Sequence, residues 1–218
     1  MASIVIKNWD KKTWLSSYDY IKSFNRFLSK NINLNSKSQI LDIGCGRGKI
    51  LGDLSSQLNL NTKPIGIDIV NHKDKDKRIK FKKTDALSFF INNKKKFDLI
   101  LIKQTIHLLK IHNIKKLINR CKKNLNPDGT IFVFTLDPFK NEIPSFKLMK
   151  KILNESLQRD KMITKFLSQF NSCKISKKFC YKVKITKKKY LKMIQDRFIS
   201  ILLPMTKKEI SNGIKEID

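Results

Sequence analysis

The sequence predicts an α/β fold that is doubly wound, with a mainly parallel seven-stranded sheet, helices on both faces and helical lid segments at both ends. Three observations lead to this class. Short apolar runs alternate with longer amphipathic segments from Ser38 onward, a glycine-rich turn follows the first run, and the chain of 218 residues is 40% hydrophobic. Such alternation is typical of βαβ units around a parallel sheet. The size and apolar content suffice for one continuous core.

Strands are predicted wherever an apolar or β-branched run is followed by a loop and, usually, a helix. The core runs are residues 39–43, 64–68, 79–82, 97–102 and 130–135. A further strand pair is predicted at residues 173–185, where Phe179, Tyr181, Val183 and Ile185 alternate with other residues on one face. This pair brings the expected strand count to seven.

Helices are predicted on both sides of this core. Residues 13–30 and 145–170 have helical spacing, Thr186 is suited to cap a helix through about residue 198, and Thr206 precedes Glu209 by three residues as in a capping box. We expect a single domain in three parts. These are a helical cap (1–37), a ligand-binding βαβ core (38–137), and a substrate-side segment (138–218) that holds the strand pair and the C-terminal helices.

The charge of the chain suggests an anionic partner. Lys and Arg number 47 against 18 Asp and Glu, which gives a formal net charge of +29. A strongly basic surface attracts nucleic acid and anionic lipid. The lysines are nevertheless spread along the chain and Arg is scarce beside Lys, so we interpret most of the charge as compositional bias. A nucleic-acid partner stays open but is not favoured.

Other compositional features exclude further classes. No apolar stretch approaches the roughly 20 residues that a membrane-spanning helix requires, and charged residues from Lys7 onward interrupt any secretory pattern. We therefore expect a cytoplasmic protein without a membrane span. The four cysteines lack the two-residue spacing of metal sites and redox pairs, so no metal is expected. The sequence does not indicate the oligomeric state.

The most informative motif is a glycine-rich turn after the first predicted strand. Gly44, Gly46 and Gly48 alternate with Cys45 and Arg47. Without Cβ atoms the backbone can turn sharply and approach a ligand, to which the next helix presents its N-terminus. A dinucleotide fingerprint would require a further glycine at position 49, which is lysine, and no Gly-Lys-Ser/Thr sequence is present. A ligand without a pyrophosphate is therefore favoured.

Two acidic residues follow the next two strands. Asp68 ends the second strand about 20 residues after the turn, where a carboxylate can accept hydrogen bonds from both ribose hydroxyls. Asp85 follows the third strand, where a carboxylate can accept from the exocyclic amine of adenine. Each feature alone is equally compatible with a tight turn or a helix cap. Together, in this order and spacing, they predict a nucleoside site at the carboxyl ends of the strands.

With these motifs, residues 39–136 resemble the class I S-adenosylmethionine-dependent methyltransferases. The matching pieces are Leu41-Asp42-Ile43-Gly44-Cys45-Gly46-Arg47-Gly48, Gly66-Ile67-Asp68, Thr84-Asp85-Ala86, Phe97-Asp98-Leu99-Ile100 and Leu125-Asn126-Pro127-Asp128-Gly129-Thr130. The resemblance implies a Rossmann-like domain, S-adenosyl-L-methionine as the cofactor, and enzymatic transfer of its methyl group.

The resemblance also implies roles for individual residues. The backbone of the three turn glycines would lie against the methionine moiety, with Asp42 oriented toward it. Asp68 would take the ribose, Asp85 the adenine, and Gln104 would contribute to the wall of the donor pocket. The neighbouring donor-binding positions are Cys45, Ile69 and Ala86.

The expected catalysis depends mainly on positioning. Methyl transfer is an in-line displacement, so holding the acceptor and the methyl group close, aligned and free of water can supply most of the acceleration. A general base is needed only when the acceptor is protonated. The candidates are His107, after the fourth strand, and Tyr18 or Tyr20 in the N-terminal helix. A capping or packing role for His107 is equally compatible with its position.

Aromatic and long apolar residues flank the carboxyl edge of the predicted sheet. They are Trp9 and Trp14 near the start of the chain, and Phe139, Phe146 and Met149 after the fifth strand. Substrate groups in this fold class come from such flanking segments, so we expect these residues to cover the acceptor. Ordinary packing of a helix and a long connection is the alternative.

The identity of the acceptor leaves three functions open. A small-molecule acceptor leads, because no segment after Asp137 is typical of an RNA-reading module. An RNA or ribosomal-protein acceptor is supported by the net charge, although Lys103-Gln104-Thr105-Ile106 lacks the Asn/Asp-Pro-Pro-aromatic sequence of base-amine methyltransferases. A catalytically inactive methyltransferase-like binding module is the third, since intact donor residues do not demonstrate turnover.

Overall fold

The structure, a computed structural model, describes residues 13–139, 142–170 and 175–217. These residues form two compact units. The first unit comprises residues 15–135, and the second comprises residues 136–217 together with Thr13 and Trp14. Each unit has its own elements and its own core.

The first unit is built on a parallel five-stranded sheet in the order β3-β2-β1-β4-β5. Its strands are β1 (Ile40–Ile43), β2 (Ile65–Asp68), β3 (Lys80–Lys83), β4 (Phe97–Lys103) and β5 (Leu125–Phe134). Its α-helices are α1 (Tyr18–Asn31), α2 (Lys49–Gln57), α3 (Ala86–Ile91) and α4 (Ile111–Lys123). The strand order reverses after β3, so right-handed crossovers place α2 on one face and α3 and α4 on the other. The contacts of α1 with α2, and of α3 with α4, agree with this arrangement.

The strands follow from their side chains. β4 contains the apolar run 99–102, whose residues are fully buried, as expected of a central parallel strand covered on both faces. β3 alternates lysines with Phe81 and has mostly exposed residues, which suits an edge where charged side chains discourage further pairing. All five core strands that the sequence predicts are confirmed, although β5 begins at Leu125, ahead of the predicted residue 130.

The sheet of the described residues has five strands rather than the seven expected. Residues 175–185, which were to complete a strand pair, form no strand, and residues 173–174 lie outside the described ranges. Phe179, Tyr181 and Ile185 are half-buried, whereas Val183 and the residues between these positions are exposed. The alternation therefore describes only part of a buried face, because a period of two specifies a face but not a ladder partner.

The first helix packs on the core of the first unit. Ser17 caps α1 by accepting a hydrogen bond from the backbone N–H of Tyr20 at 3.3 Å, and Phe24 and Leu28 are fully buried. Tyr18, one of the predicted candidate bases, is 71% exposed, whereas Tyr20, about 200° further around the helix, is buried.

The second unit is helical. It contains α5 (Lys147–Ser168), α6 (Lys187–Gln195) and α7 (Lys207–Ile217). Thr186 caps α6 by accepting from the Lys189 N–H at 3.2 Å. At the start of α7 the Glu209 N–H donates to Thr206 Oγ1 at 3.2 Å, and the Thr206 N–H donates to Glu209 Oε2 at 2.7 Å. Both predicted caps are therefore confirmed. No helix of the described residues combines the length and the apolar character needed to cross a bilayer.

Candidate active site

The glycine turn joins β1 to α2 in a conformation that side chains with a Cβ rarely adopt. The φ angles of Gly44, Gly46 and Gly48 are +76°, +56° and +72°, in the left-handed region that favours glycine. The N–H groups of Gly44 and Cys45 both donate to the carbonyl oxygen of Ile67 on β2, at 2.9 and 3.0 Å. The sheet thus fixes the turn, and the turn requires glycine.

The three glycines differ in what surrounds them. A Cβ at Gly44 would lie 2.1 Å from Thr105 Oγ1, and one at Gly48 would lie 2.1 Å from Ile79 Cδ1. At Gly46 a Cβ would meet no heavy atom of the described residues within 4 Å. Packing against Thr105 therefore requires glycine at position 44, whereas at position 48 only the flexible end of Ile79 would have to move. The middle glycine leaves open space through which a ligand can approach the backbone.

Asp68 ends β2 and is tied directly to the glycine turn. Its Oδ2 accepts the N–H of Gly46 and its Oδ1 accepts the N–H of Val70, both at 2.9 Å. A carboxylate offers about four acceptor positions, so these two bonds orient it and leave capacity for ligand hydroxyls.

Asp85 lies at the same sheet edge as Asp68. Lys83, two residues before Asp85, pairs with Asp68 in the β2–β3 register. The Oδ1 of Asp85 accepts the N–H groups of Leu87 and Ser88, both at 3.0 Å, which makes Asp85 the N-cap of α3. The hydrogen bonds from Ser88 hold the pKa of Asp85 below its ordinary value. Asp85 is thus an exposed carboxylate that caps a helix beside the turn.

Asp42 lies inside β1 and is buried. Its Oδ1 has no hydrogen-bond partner among the described residues. Burial raises the pKa of Asp42 to about 7, with Lys103 opposing the rise and Asp68 adding to it. A buried, incompletely satisfied carboxyl group suits a cationic or hydrogen-bond-donating part of a ligand. The open space at Gly46 and this carboxyl group therefore fit the amino acid end of S-adenosylmethionine.

The segment after β4 forms the next part of the site. Gln104 has a φ of +50°, and its N–H donates to Phe134 O at 2.7 Å. Thr105, which contacts the glycine turn, donates from Oγ1 to Lys103 O at 3.0 Å. His107 follows, half-buried, in the 3₁₀ turn Ile106–Leu108. Gln104 and the glycine turn therefore belong to the same edge of the sheet.

Two residues to which the sequence analysis assigned no role lie close to this edge. His72 is buried, and its Nε2 lies 3.7 Å from Asp68 Oδ1. Lys103 places its Nζ 5.2 Å from the ring centroid of Tyr20 and 5.4 Å from that of Phe24. In the sequence, His72 follows Asp68 by four residues, which is close enough for a contact. The charged residues around His72 nevertheless favour the interpretation of a solvated loop.

The other expected donor-site residues have diverse environments. Cys45 contacts Gly46 O through its Sγ at 3.6 Å, and burial raises the pKa of its thiol, so the sulfur stays protonated. Ile69 is 56% exposed beside Asp68. Ala86 is half-buried as the first residue of α3.

The residues expected to contact the acceptor separate into three groups. Trp9 lies outside the described residues. Phe146 and Met149 are buried in the core of the second unit, against which Trp14 also packs, so packing accounts for their apolar character. Phe139 is 78% exposed and lines a groove of the second unit. The other lining residues are Pro138, Asn154, Leu157, Gln158 and Lys161.

The described residues contain no cluster of His, Cys, Asp or Glu that could hold a metal ion. The site instead consists of a glycine turn with open space, two carboxylates at neighbouring strand ends and one buried carboxyl group. This combination, at the carboxyl edge of a parallel sheet that reverses its order, defines a nucleoside-binding α/β protein.

The chain belongs to the methyltransferase domain family, whose model matches residues 14–171. Membership confirms the predicted relation to the class I S-adenosylmethionine-dependent methyltransferases, and with it S-adenosylmethionine as the methyl donor of the family. The match extends beyond the glycine turn and both acids, through the end of α5.

Individual relatives agree with this assignment. The chain is 34% identical to phosphoethanolamine N-methyltransferase of Plasmodium falciparum over 111 residues, which cover 47% of this chain and 41% of that protein. A putative methyltransferase from an antibiotic biosynthesis pathway of Anabaena variabilis has a similar structure, with a TM-score of 0.65, 18% identity, and coverage of 89% and 83% of the two chains. The plantazolicin methyltransferase BpumL, in complex with a triazolic desmethylPZN analogue and SAH, is similar with a TM-score of 0.51 and 21% identity. The match covers 75% of this chain and 68% of that chain. The two structural matches support the fold.

Proposed function

We propose that this chain catalyses transfer of the methyl group of S-adenosylmethionine to a small-molecule acceptor. One observation carries the proposal: Gly46, in the middle of the turn, has no described atom within 4 Å of a built Cβ, while its N–H is bonded to Asp68. Open space at the backbone and a carboxylate fixed beside it are what an adenosyl ligand without phosphates requires.

Different residues would bind different parts of the donor. The backbone of residues 44–48 and the buried Asp42 would hold the methionine part, Asp68 the ribose hydroxyls and Asp85 the adenine amine. Cys45, Ile69, Ala86 and Gln104 would complete the walls. S-adenosylmethionine supplies a methyl group on a positively charged sulfur. Because the donor is activated by that charge, the protein contributes by orienting it and excluding water.

The acceptor side rests on fewer observations. His107, half-buried after β4, is the first candidate for accepting a proton from a protonated acceptor, and the exposed Tyr18 is the second. Phe139 is the aromatic candidate for acceptor contact because it is exposed. We retain the organisation predicted from the sequence, with a cap (1–37), a donor-binding core (38–137) and a substrate side (138–218), as part of the proposal.

Similarity to phosphoethanolamine N-methyltransferase supports an amine as the first acceptor to examine, although the match covers 41% of that protein. An amine must lose its proton before it can attack a methyl group, so a base such as His107 would then be needed. Phosphoethanolamine is accordingly the first member of the acceptor panel, followed by other amines, phenols and carboxylic acids.

The test is a transfer assay with methyl-labelled S-adenosylmethionine. We expect label in at least one small-molecule acceptor with the wild-type protein, and loss of transfer in Gly46→Val, where branched carbons enter the open space. Circular dichroism of Gly46→Val checks that the variant is folded, so that a loss of transfer reports on the site. Donor binding without transfer to any acceptor class would favour the inactive binding module.

An RNA or ribosomal-protein acceptor is the second candidate. Besides the net charge of +29, the second unit carries a run of exposed lysines between residues 177 and 189. If this charge serves nucleic acid, RNA binding should fall steeply as salt rises, and labelled methyl should appear in RNA. Transfer to RNA or to a ribosomal protein, but to no small molecule, would replace the first proposal.

A further inference from the structure

His72 is a buried residue in a charged surface loop. Its neighbours Asn71, Lys73 and Asp74 are exposed, whereas the His72 side chain is 3% exposed. Burying an imidazole removes its ring nitrogens from water, which is unfavourable unless they find polar partners. Within the loop of residues 69–79, the His72 ring is therefore turned inward while its sequence neighbours face solvent.

The imidazole faces the carboxylate that ends β2. His72 Nε2 lies 3.7 Å from Asp68 Oδ1, which also accepts the N–H of Val70. The other oxygen of Asp68 accepts the N–H of Gly46. Hydrogen bonds thus orient the carboxylate from the glycine turn on one oxygen and from the loop backbone on the other, and the His72 ring nitrogen lies within ion-pair distance of that second oxygen.

The loop that carries His72 is itself anchored beside the glycine turn. Asp76 is buried, its N–H donates to Arg47 O at 2.9 Å, and its two carboxylate oxygens accept from Arg78 at 2.8 and 2.7 Å. Burial alone would raise the pKa of Asp76, but the hydrogen bonds from Arg78 bring it below its ordinary value. Lys75 Nζ additionally donates to the carbonyl of His72 at 2.9 Å.

We propose that His72 is a positioning residue for the donor, which holds the Asp68 carboxylate in the orientation that receives the ribose hydroxyls. The inference rests on the proposed function, because it presupposes that an adenosyl ligand binds at Asp68. His72 acts through Asp68 and contacts no reacting atom. Its removal should affect ligands with ribose hydroxyls more than ligands without them.

Two ligands separate this role from packing. Calorimetric titrations use S-adenosylhomocysteine and its analogue that lacks both ribose hydroxyls. The wild type should prefer the hydroxylated ligand by about tenfold or more. His72→Asn should lose most of this preference, because its shorter amide does not reach Asp68. His72→Gln should restore most of it, because its amide nitrogen extends about as far as Nε2. His112→Asn, on the exposed side of α4, is the surface control.

The outcomes are distinct. A preference that survives in folded His72→Asn, or equal weakening of both ligands, would show that His72 only fills space and would overturn the inference. Absence of binding by the wild type would overturn the proposed function and this inference with it. Should His72→Asn fail to fold, the wild type still decides: the ring-nitrogen resonances of His72 should respond to S-adenosylhomocysteine and markedly less to the analogue, and an equal response to both would overturn the proposal.

Discussion

A Cβ atom built on Gly44 would fall 2.1 Å from Thr105 Oγ1, two residues beyond the end of β4. The glycine turn after β1 and the segment after β4 are therefore packed so closely that one added carbon at Gly44 would clash. Gly46, two residues along the same turn, faces open space instead. Gly44 is thus the glycine that the fold requires, and Gly46 is the one at which we propose that the ligand approaches the backbone.

Gly44→Ala should destabilise the protein more than Gly46→Ala. Both substitutions place an alanine at positive φ, which costs roughly 1–2 kcal/mol. Only Gly44→Ala adds the collision with Thr105, which is a side chain held by its own hydrogen bond. Urea denaturation of the two variants measures the difference. Equal losses of unfolding free energy would show that Thr105 yields freely and that the turn is less constrained than described.

Asp68→Asn should weaken binding of S-adenosylhomocysteine by about 1–3 kcal/mol, because the amide removes charge-assisted hydrogen bonds to the ribose. The matched control is Asp74→Asn in the neighbouring loop, where the carboxylate is exposed and φ is +54°, which asparagine tolerates. Calorimetric titration measures both variants. An affinity of Asp68→Asn equal to that of the control would contradict the ribose assignment.

Asp85 caps α3 and is proposed to bind the adenine amine, and one pair of variants can separate these two roles. Asp85→Ala removes the cap of α3 and should lower the unfolding free energy by about 1 kcal/mol. Asp85→Ser keeps a capping oxygen, so its stability should remain close to that of the wild type. If Asp85 also contacts adenine, both variants should bind S-adenosylhomocysteine more weakly in titration. Full affinity in Asp85→Ser would restrict Asp85 to capping.

The sequence could predict the core strands and the glycine turn because their signals are local. Alternate glycines after an apolar run, and an acid at the end of each of the next two strands, need no long-range information. The strand pair at residues 173–185 could not be predicted in this way, because alternation along a chain does not reveal whether a neighbouring strand exists.

The burial of individual residues could not be predicted from the sequence either. Phe146 and Met149 have the same apolar character as the exposed Phe139, and only packing distinguishes them. His72 was hidden for the opposite reason, since its charged neighbours are typical of a solvated loop. In both cases the side chain alone does not indicate whether it points inward.

The pKa of Asp42 predicts a pH dependence of stability in the absence of ligand. The carboxyl group titrates near 7 in the folded protein and near 3.8 without the surrounding fold, so the folded state binds more protons between these values. The unfolding free energy should therefore fall as pH rises from about 4 to about 7. Asp42→Asn does not titrate and should lack this fall.

The difference in unfolding free energy between Asp42→Asn and the wild type should accordingly grow toward neutral pH and level off above it. Its total change should be on the order of a few kcal/mol. Urea denaturation of both proteins at a series of pH values measures it. A difference that stays constant from pH 4 to pH 8 would show that Asp42 titrates normally in the fold.

The most direct test of the account is calorimetric titration of the wild-type chain and of Gly46→Val with S-adenosylhomocysteine. The wild type should bind saturably, with one ligand per chain, and Gly46→Val should lose binding while its circular dichroism remains that of a folded protein. Normal affinity in the folded variant, or no binding by the wild type, would contradict the assignment of the space at Gly46 to the donor.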